Sequence, residues 1–329
     1  MSGLQVHGGR IDLAAALYPD APAPWLDLST GISPCAWTAD PMPHADLTRL
    51  PSPAAIASLE HSAAAAFGAQ ANRVIAMPGS EIGLRMLEQL NLPGPVRFVT
   101  PSYATHAEAF AQGTPVARAD IYAVEAGTVL IANPNNPDGQ LDAPERLLAI
   151  VRDRAAPLEP WLVIDEAFAD LVPSYSVVPH LQPADPVIVF RSFGKTFGLP
   201  GVRLGFMIAQ PALIAAVRAR LGSWPISAQA VAYGIAAYRD TDWLDAARIA
   251  IPKRAARLDA LLARHGLQSS GDCPLFRLIQ TEDASALFDR VARAGILTRT
   301  FDYEPRWLRI GLPGDDAAFA RLDQALSDG

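Results

Sequence analysis

Six short apolar runs, each stopping in a polar or glycine-rich turn, constrain this chain more than any other feature. They are residues 74–77, 96–99, 129–132, 162–164, 187–190 and 205–208. The runs are rich in β-branched residues and do not alternate with polar ones, the pattern of strands buried on both faces of a mostly parallel sheet. Helical segments lie between several of them: 53–67 is alanine-rich and closes at Gly68, 81–90 follows a Ser80 cap, and 144–155 opens with proline. Strands alternating with helices predict an α/β architecture, a mostly parallel central sheet with helices on both faces.

From about Gln210 the character changes, and helix-like stretches at 212–221, 228–238 and 245–265 dominate. The expected layout is an N-terminal arm (1–40) belonging to a small α+β domain, a large domain (41–222), and a C-terminal segment (223–329) completing the small domain. A chain of 329 residues can bury two such cores.

Half of the residues are hydrophobic and 19% are charged, which excludes a disordered chain. The formal charge, 27 − 34 = −7, comes without a basic block and argues against a nucleic-acid partner. Cys35 and Cys273 stand far apart and in no metal-ligand spacing, so neither a disulfide framework nor a metal site is expected. The first residues, MSGLQVHGGR, hold no apolar signal core, and no apolar run approaches a membrane-spanning length. The expectation is a soluble, cytoplasmic protein without membrane partners.

In open α/β sheets the chemistry gathers at the carboxyl ends of strands. The turn with the most chemistry is Ser192-Phe193-Gly194-Lys195-Thr196-Phe197-Gly198, followed by Arg203. An amine condenses with an aldehyde, and a hydroxyl with a guanidinium grips a phosphate. A surface lysine in a glycine-rich loop would look the same, but a Walker-type phosphate loop is excluded by its missing glycine spacing. Gly79-Ser80-Glu81 offers free N–H groups between a strand and a helix, suited to a phosphate and equally to an ordinary cap. Asn133-Pro134-Asn135-Asn136-Pro137-Asp138-Gly139 is locally a plain turn.

The lysine segment resembles the cofactor-lysine signature of class I and II aminotransferases, and the other turns match that family in order. The resemblance implies pyridoxal 5′-phosphate (PLP) as cofactor, joined to Lys195 as a Schiff base, with its phosphate held by Ser192, Arg203, Gly79, Ser80 and the Glu81 amide. It implies that Asn136 bonds the phenolic oxygen, that Asp165 faces the pyridine nitrogen with His106 behind it, and that Tyr103 stacks on the ring. Lys195, Asp165 and Tyr103 are then the catalytic set. Phe168 departs from the tyrosine of many relatives, and Asp138 stands where threonine is commoner. Arg309, in Trp307-Leu308-Arg309-Ile310-Gly311, becomes the clamp for a substrate carboxylate, since a guanidinium binds one bidentately; a structural ion pair is the local alternative. Arg299 and Arg306 lie nearby in sequence without an equally clear assignment, and nearby arginines with His7 are expected at the substrate phosphate.

His7-Gly8-Gly9, the stretch Leu26 to Pro34 and Thr48 to Pro53 resemble the amino terminus of threonine-phosphate decarboxylases of cobalamin biosynthesis, aerobic branch. Leu50 replaces the tyrosine usual in histidinol-phosphate aminotransferases. The implied reaction is decarboxylation of L-threonine O-3-phosphate to (R)-1-amino-2-propanol O-2-phosphate in a homodimer. His7, Ser29, Gly31, Asn136 and Arg309 would contact the small phosphorylated substrate. The alternatives are an aminotransferase for histidinol phosphate or another amino acid, and a non-catalytic aminotransferase-like module.

Overall fold

The computed structural model describes residues 8–152 and 160–327. His7 lies outside the described residues, as does the end of the helix expected over 144–155. In chain order the strands begin with β1 (Leu26–Asp27), β2 (Val74–Met77), β3 (Val96–Val99), β4 (Thr114–Val116), β5 (Thr128–Ala132) and β6 (Trp161–Asp165). They continue with β7 (Val187–Ser192), β8 (Gly205–Ile208), β9 (Ser269–Ser270), β10 (Phe276–Gln280), β11 (Ile296–Leu297), β12 (Arg299–Phe301) and β13 (Glu304–Gly311).

The chain divides into two compact units. One comprises Ala36–Asn136 and Gln140–Ala246 and is built on a seven-stranded sheet in the order β2-β8-β7-β6-β5-β3-β4. Only β8 runs against its neighbours, β2 and β7; the other adjacent pairs are parallel. Alternation explains why the runs read as continuously apolar. Val129, Ile131, Leu162, Ile164, Val187, Val189 and Phe206 enter the core on one face, with helices Pro53–Phe67 and Ala228–Arg239. Leu130, Val163, Ile188, Phe190 and Met207 enter the core on the other, with Leu84, Ile214 and Val217. Successive side chains of a strand point to opposite faces, so a strand covered on both sides needs apolar residues at every position.

Local signals set several element ends. In helix Pro53–Phe67 the Ser52 side chain accepts a hydrogen bond from the Ala55 N–H at 3.1 Å, proline opens the first turn, and Gly68 closes it in a left-handed conformation. The helix expected over 81–90 needs correction. It starts at Ser80 with Gly79 as its cap, stops at Arg85, and continues only as a 3₁₀ turn, Leu87–Leu90, closed by the left-handed Asn91. Strand β4 was not among the six runs; it is a largely exposed edge with Pro115 in its middle.

The second unit comprises Met1–Cys35, Pro137–Gly139 and Ala247–Gly329. Its four-stranded sheet has the order β12-β13-β10-β9, antiparallel throughout, and β1 pairs in parallel with β11. Helices Ala284–Arg293 and Asp316–Ser327 bury Leu287, Phe288, Phe319 and Leu322. Among the described residues, no helix is long and apolar enough to cross a membrane.

Candidate active site

The strand ends of the seven-stranded sheet gather the sequence-predicted cofactor residues. Strand register brings the phosphate group of residues together around Gly205, which faces Met77 on β2 and Ser192 on β7. A Cβ on Gly205 would lie 2.3 Å from the Ser80 nitrogen, so the Gly79-Ser80 turn rests directly on the start of β8. Gly79 has φ +90°, and a Cβ there would lie 2.9 Å from Nη2 of Arg203. Glycine is therefore needed twice over at this position, for its backbone conformation and for the guanidinium beside it. Arg203 itself takes the left-handed conformation, φ 55°, and donates to the Pro200 carbonyl at 3.2 Å. Ser80 and Ser192 are half-buried.

Lys195 lies on the single helical turn Phe193–Thr196. Phe193 and Phe197 are fully buried and stack at 4.6 Å, and Phe197 stacks on Trp243 at 5.4 Å, which anchors the turn from below. The half-buried Lys195 places Nζ 5.8 Å from the ring centre of the buried Phe168.

Asp165 ends β6 and is 6% exposed. Its Oδ1 accepts from the Ala167 N–H at 3.1 Å, and its Oδ2 lies 3.2 Å from Nε2 of the fully buried His106. His106 Nδ1 lies 2.9 Å from the Ser102 hydroxyl, which donates to Asn135 Oδ1 at 3.1 Å. Asn135 in turn donates to the Pro101 carbonyl at 3.1 Å. Ser102 and Asn135 received no role from sequence, although a serine four residues before His106 was a visible signal. Asn136 follows directly and is half-buried.

Tyr103 stands edge-on to His106 at 5.9 Å and donates its hydroxyl to Glu81 Oε2 at 3.0 Å. Burial, with Glu81 nearby, pushes its phenol up to about 12. Glu81 also accepts from Arg85 at 2.9 Å, so its carboxylate serves the protein's own side chains.

In the other unit, Arg309 is 7% exposed and lies on β13 opposite Leu278 of β10 and Arg299 of β12. It donates to the Ser29 carbonyl at 2.6 Å and sits 5.1 Å over the Phe276 ring. Burial, reinforced by Arg299, lowers its guanidinium to about 10. The Ser29 hydroxyl donates to Asp27 at 2.6 Å and accepts from the Gly9 N–H at 2.7 Å. Gly31 is buried.

These side chains fit PLP. A buried carboxylate backed by an imidazole suits a protonated ring nitrogen, a glycine turn beside a guanidinium leaves room for a phosphate, and Lys195 supplies the amine.

Residues 27–326 match the model of the family "Aminotransferase class I and II". A threonine-phosphate decarboxylase from Sinorhizobium sp. is 40% identical over 99% of both chains. Another, from Pseudomonas aeruginosa, is 38% identical over 97% of this chain and 96% of its own. Among solved structures, the histidinol-phosphate aminotransferase from Sinorhizobium meliloti in complex with pyridoxal-5′-phosphate aligns with a TM-score of 0.79, at 21% identity, over 96% of this chain and 93% of that one. Family model, full-length relatives and fold agree: the chain belongs to the class I and II aminotransferase family, and within it shares its whole length with threonine-phosphate decarboxylases.

Proposed function

We propose that this chain is a PLP-dependent decarboxylase that converts L-threonine O-3-phosphate to (R)-1-amino-2-propanol O-2-phosphate, a precursor in cobalamin biosynthesis. The observation that carries this reading is the 40% identity, end to end, with a threonine-phosphate decarboxylase. The turns around Lys195 and Asp165 support the cofactor.

Bound PLP supplies an electron sink for the carbanion left at Cα when CO₂ departs. The protein's part is to hold and orient. Asp165, with His106 at 3.2 Å, keeps a proton on the ring nitrogen. Ser80, Ser192, Arg203 and the Gly79-Ser80-Glu81 backbone bind the cofactor phosphate, and Asn136 donates to its phenolic oxygen. Tyr103 packs on the ring. Its phenol, pushed up to about 12, stays protonated at neutral pH. Lys195 carries the cofactor between turnovers, and its Nζ is the amine that returns a proton to Cα. Phe168 offers that amine an apolar neighbour without a hydroxyl. Arg309 orients the substrate carboxylate with Ser29 and Gly31 beside it, and His7 with nearby arginines takes the substrate phosphate.

The enzyme is proposed to act as a cytoplasmic homodimer, the state that the family resemblance implies. The test is product analysis after incubation with L-threonine O-3-phosphate. Aminopropanol phosphate is the expected product, whereas an oxo acid would mark a transaminase.

A further inference from the structure

Directly behind the cofactor residues lies a buried polar cluster to which the proposed reaction assigns no task. Glu166 follows Asp165 in the chain, and Arg191 precedes Ser192. Because side chains alternate, Asp165 and Ser192 share a face with Val163, Ile188 and Phe190, while Arg191 points to the opposite face with Val189. There Arg191 Nε pairs with Glu166 Oε2 at 3.1 Å, Nη1 with Asp170 Oδ1 at 2.5 Å, and Nη2 donates to the Ser176 hydroxyl at 2.7 Å. The Ser176 hydroxyl donates to Glu166 Oε2 at 2.7 Å, and the Val177 N–H donates to Oε1 at 2.8 Å. Glu166, Asp170, Ser176 and Arg191 are each at most 6% exposed, and the guanidinium lies 4.8 Å over the Phe67 ring. The backbone joins the two strand ends as well, since the Glu166 N–H donates to the Phe190 carbonyl at 2.9 Å.

Such a cluster is costly to bury and weak evidence for stability by itself, because hydrophobic residues of similar volume often do as well. Its placement gives it a different use. It clamps the residue next to Asp165 to the residue next to Ser192, and so sets the span between the carboxylate at one end of the cofactor and the hydroxyl at the other. We infer that Glu166 and Arg191 are positioning residues, which fix the separation of Asp165 and Ser192 and hence the affinity and alignment of PLP. The inference rests on the proposed PLP site.

The test measures PLP binding by the apo protein, together with the visible spectrum of the bound cofactor, for Glu166→Gln and Arg191→Lys. Val217→Ala, a core truncation on the other face of the sheet, serves as control for lost stability. Each cluster variant is expected to bind PLP at least about ten-fold more weakly, with a displaced absorption band and a lower kcat at little changed KM. Val217→Ala is expected to stay within about two-fold of wild type in affinity, at comparable loss of Tm. If the cluster variants prove insoluble, Ser176→Ala removes only the bridging hydroxyl and is expected to weaken PLP by about three-fold or more. Wild-type affinity and spectrum in the soluble cluster variants, or losses that merely follow Tm in all variants alike, would overturn the positioning role. A wild-type chain that fails to bind PLP would instead overturn the cofactor reading itself.

Discussion

His106 Nε2 stands 3.2 Å from Asp165 Oδ2, with the imidazole fully buried and the carboxyl 6% exposed. A buried carboxylate needs partners, and this one has the Ala167 N–H and the imidazole. Replacing His106 by Asn removes a charge-assisted hydrogen bond, of order 1.5–3 kcal/mol. The expected outcome is a ten- to hundred-fold fall in kcat, at these energies, with weakened PLP retention on dialysis. Unchanged turnover would show that Asp165 needs no support.

Gly79→Ala tests the phosphate turn. The added methyl meets Arg203 Nη2 at 2.9 Å in a backbone conformation of φ +90°. The strain is expected to cost about 1–3 kcal/mol, read as a lower Tm, and the displaced guanidinium is expected to weaken PLP binding. A variant with wild-type affinity would place the phosphate elsewhere.

Glu166 makes stability depend on pH. Burial, partly offset by Arg191, raises its carboxyl above the ordinary 4.5. The folded state thus holds this proton more tightly than the unfolded chain. Its contribution is fully present below pH 4.5 and is lost as pH rises through the folded value. Glu166→Gln has nothing to titrate there. Denaturant unfolding is expected to show the stability difference moving in the variant's favour from pH 4.5 toward neutrality. A difference that stays constant with pH would contradict this.

Much of the fold was legible because its signals are local. Ser52 and Gly68 bracket a helix through their own caps, and residues such as Val163 and Val189 declare a doubly covered strand by composition alone. Strand β4 escaped because an exposed edge with Pro115 has no apolar run to show, and the helix after Gly79 broke at Met86 without a proline or glycine at the break. The site divides in the same way. Lys195, Asp165 and Arg203 stand in recognisable turns. Asn135 reaches Ser102 across 33 residues, and Arg191 reaches Asp170 across 21, contacts that only the folded sheet creates.

Arg309 is expected to act on substrate rather than on folding. Arg309→Lys keeps a cation but loses the planar fork. KM for the substrate is expected to rise at least about ten-fold, with Tm little altered. Steady-state kinetics with an unchanged KM would remove the clamp.

The most direct measurement is CO₂ release from L-threonine O-3-phosphate by the purified, PLP-loaded protein without any oxo acid. Stoichiometric CO₂ and aminopropanol phosphate, both abolished in Lys195→Ala, are expected. Conversion of the cofactor to pyridoxamine phosphate with no CO₂ would contradict the decarboxylase and make the enzyme an aminotransferase.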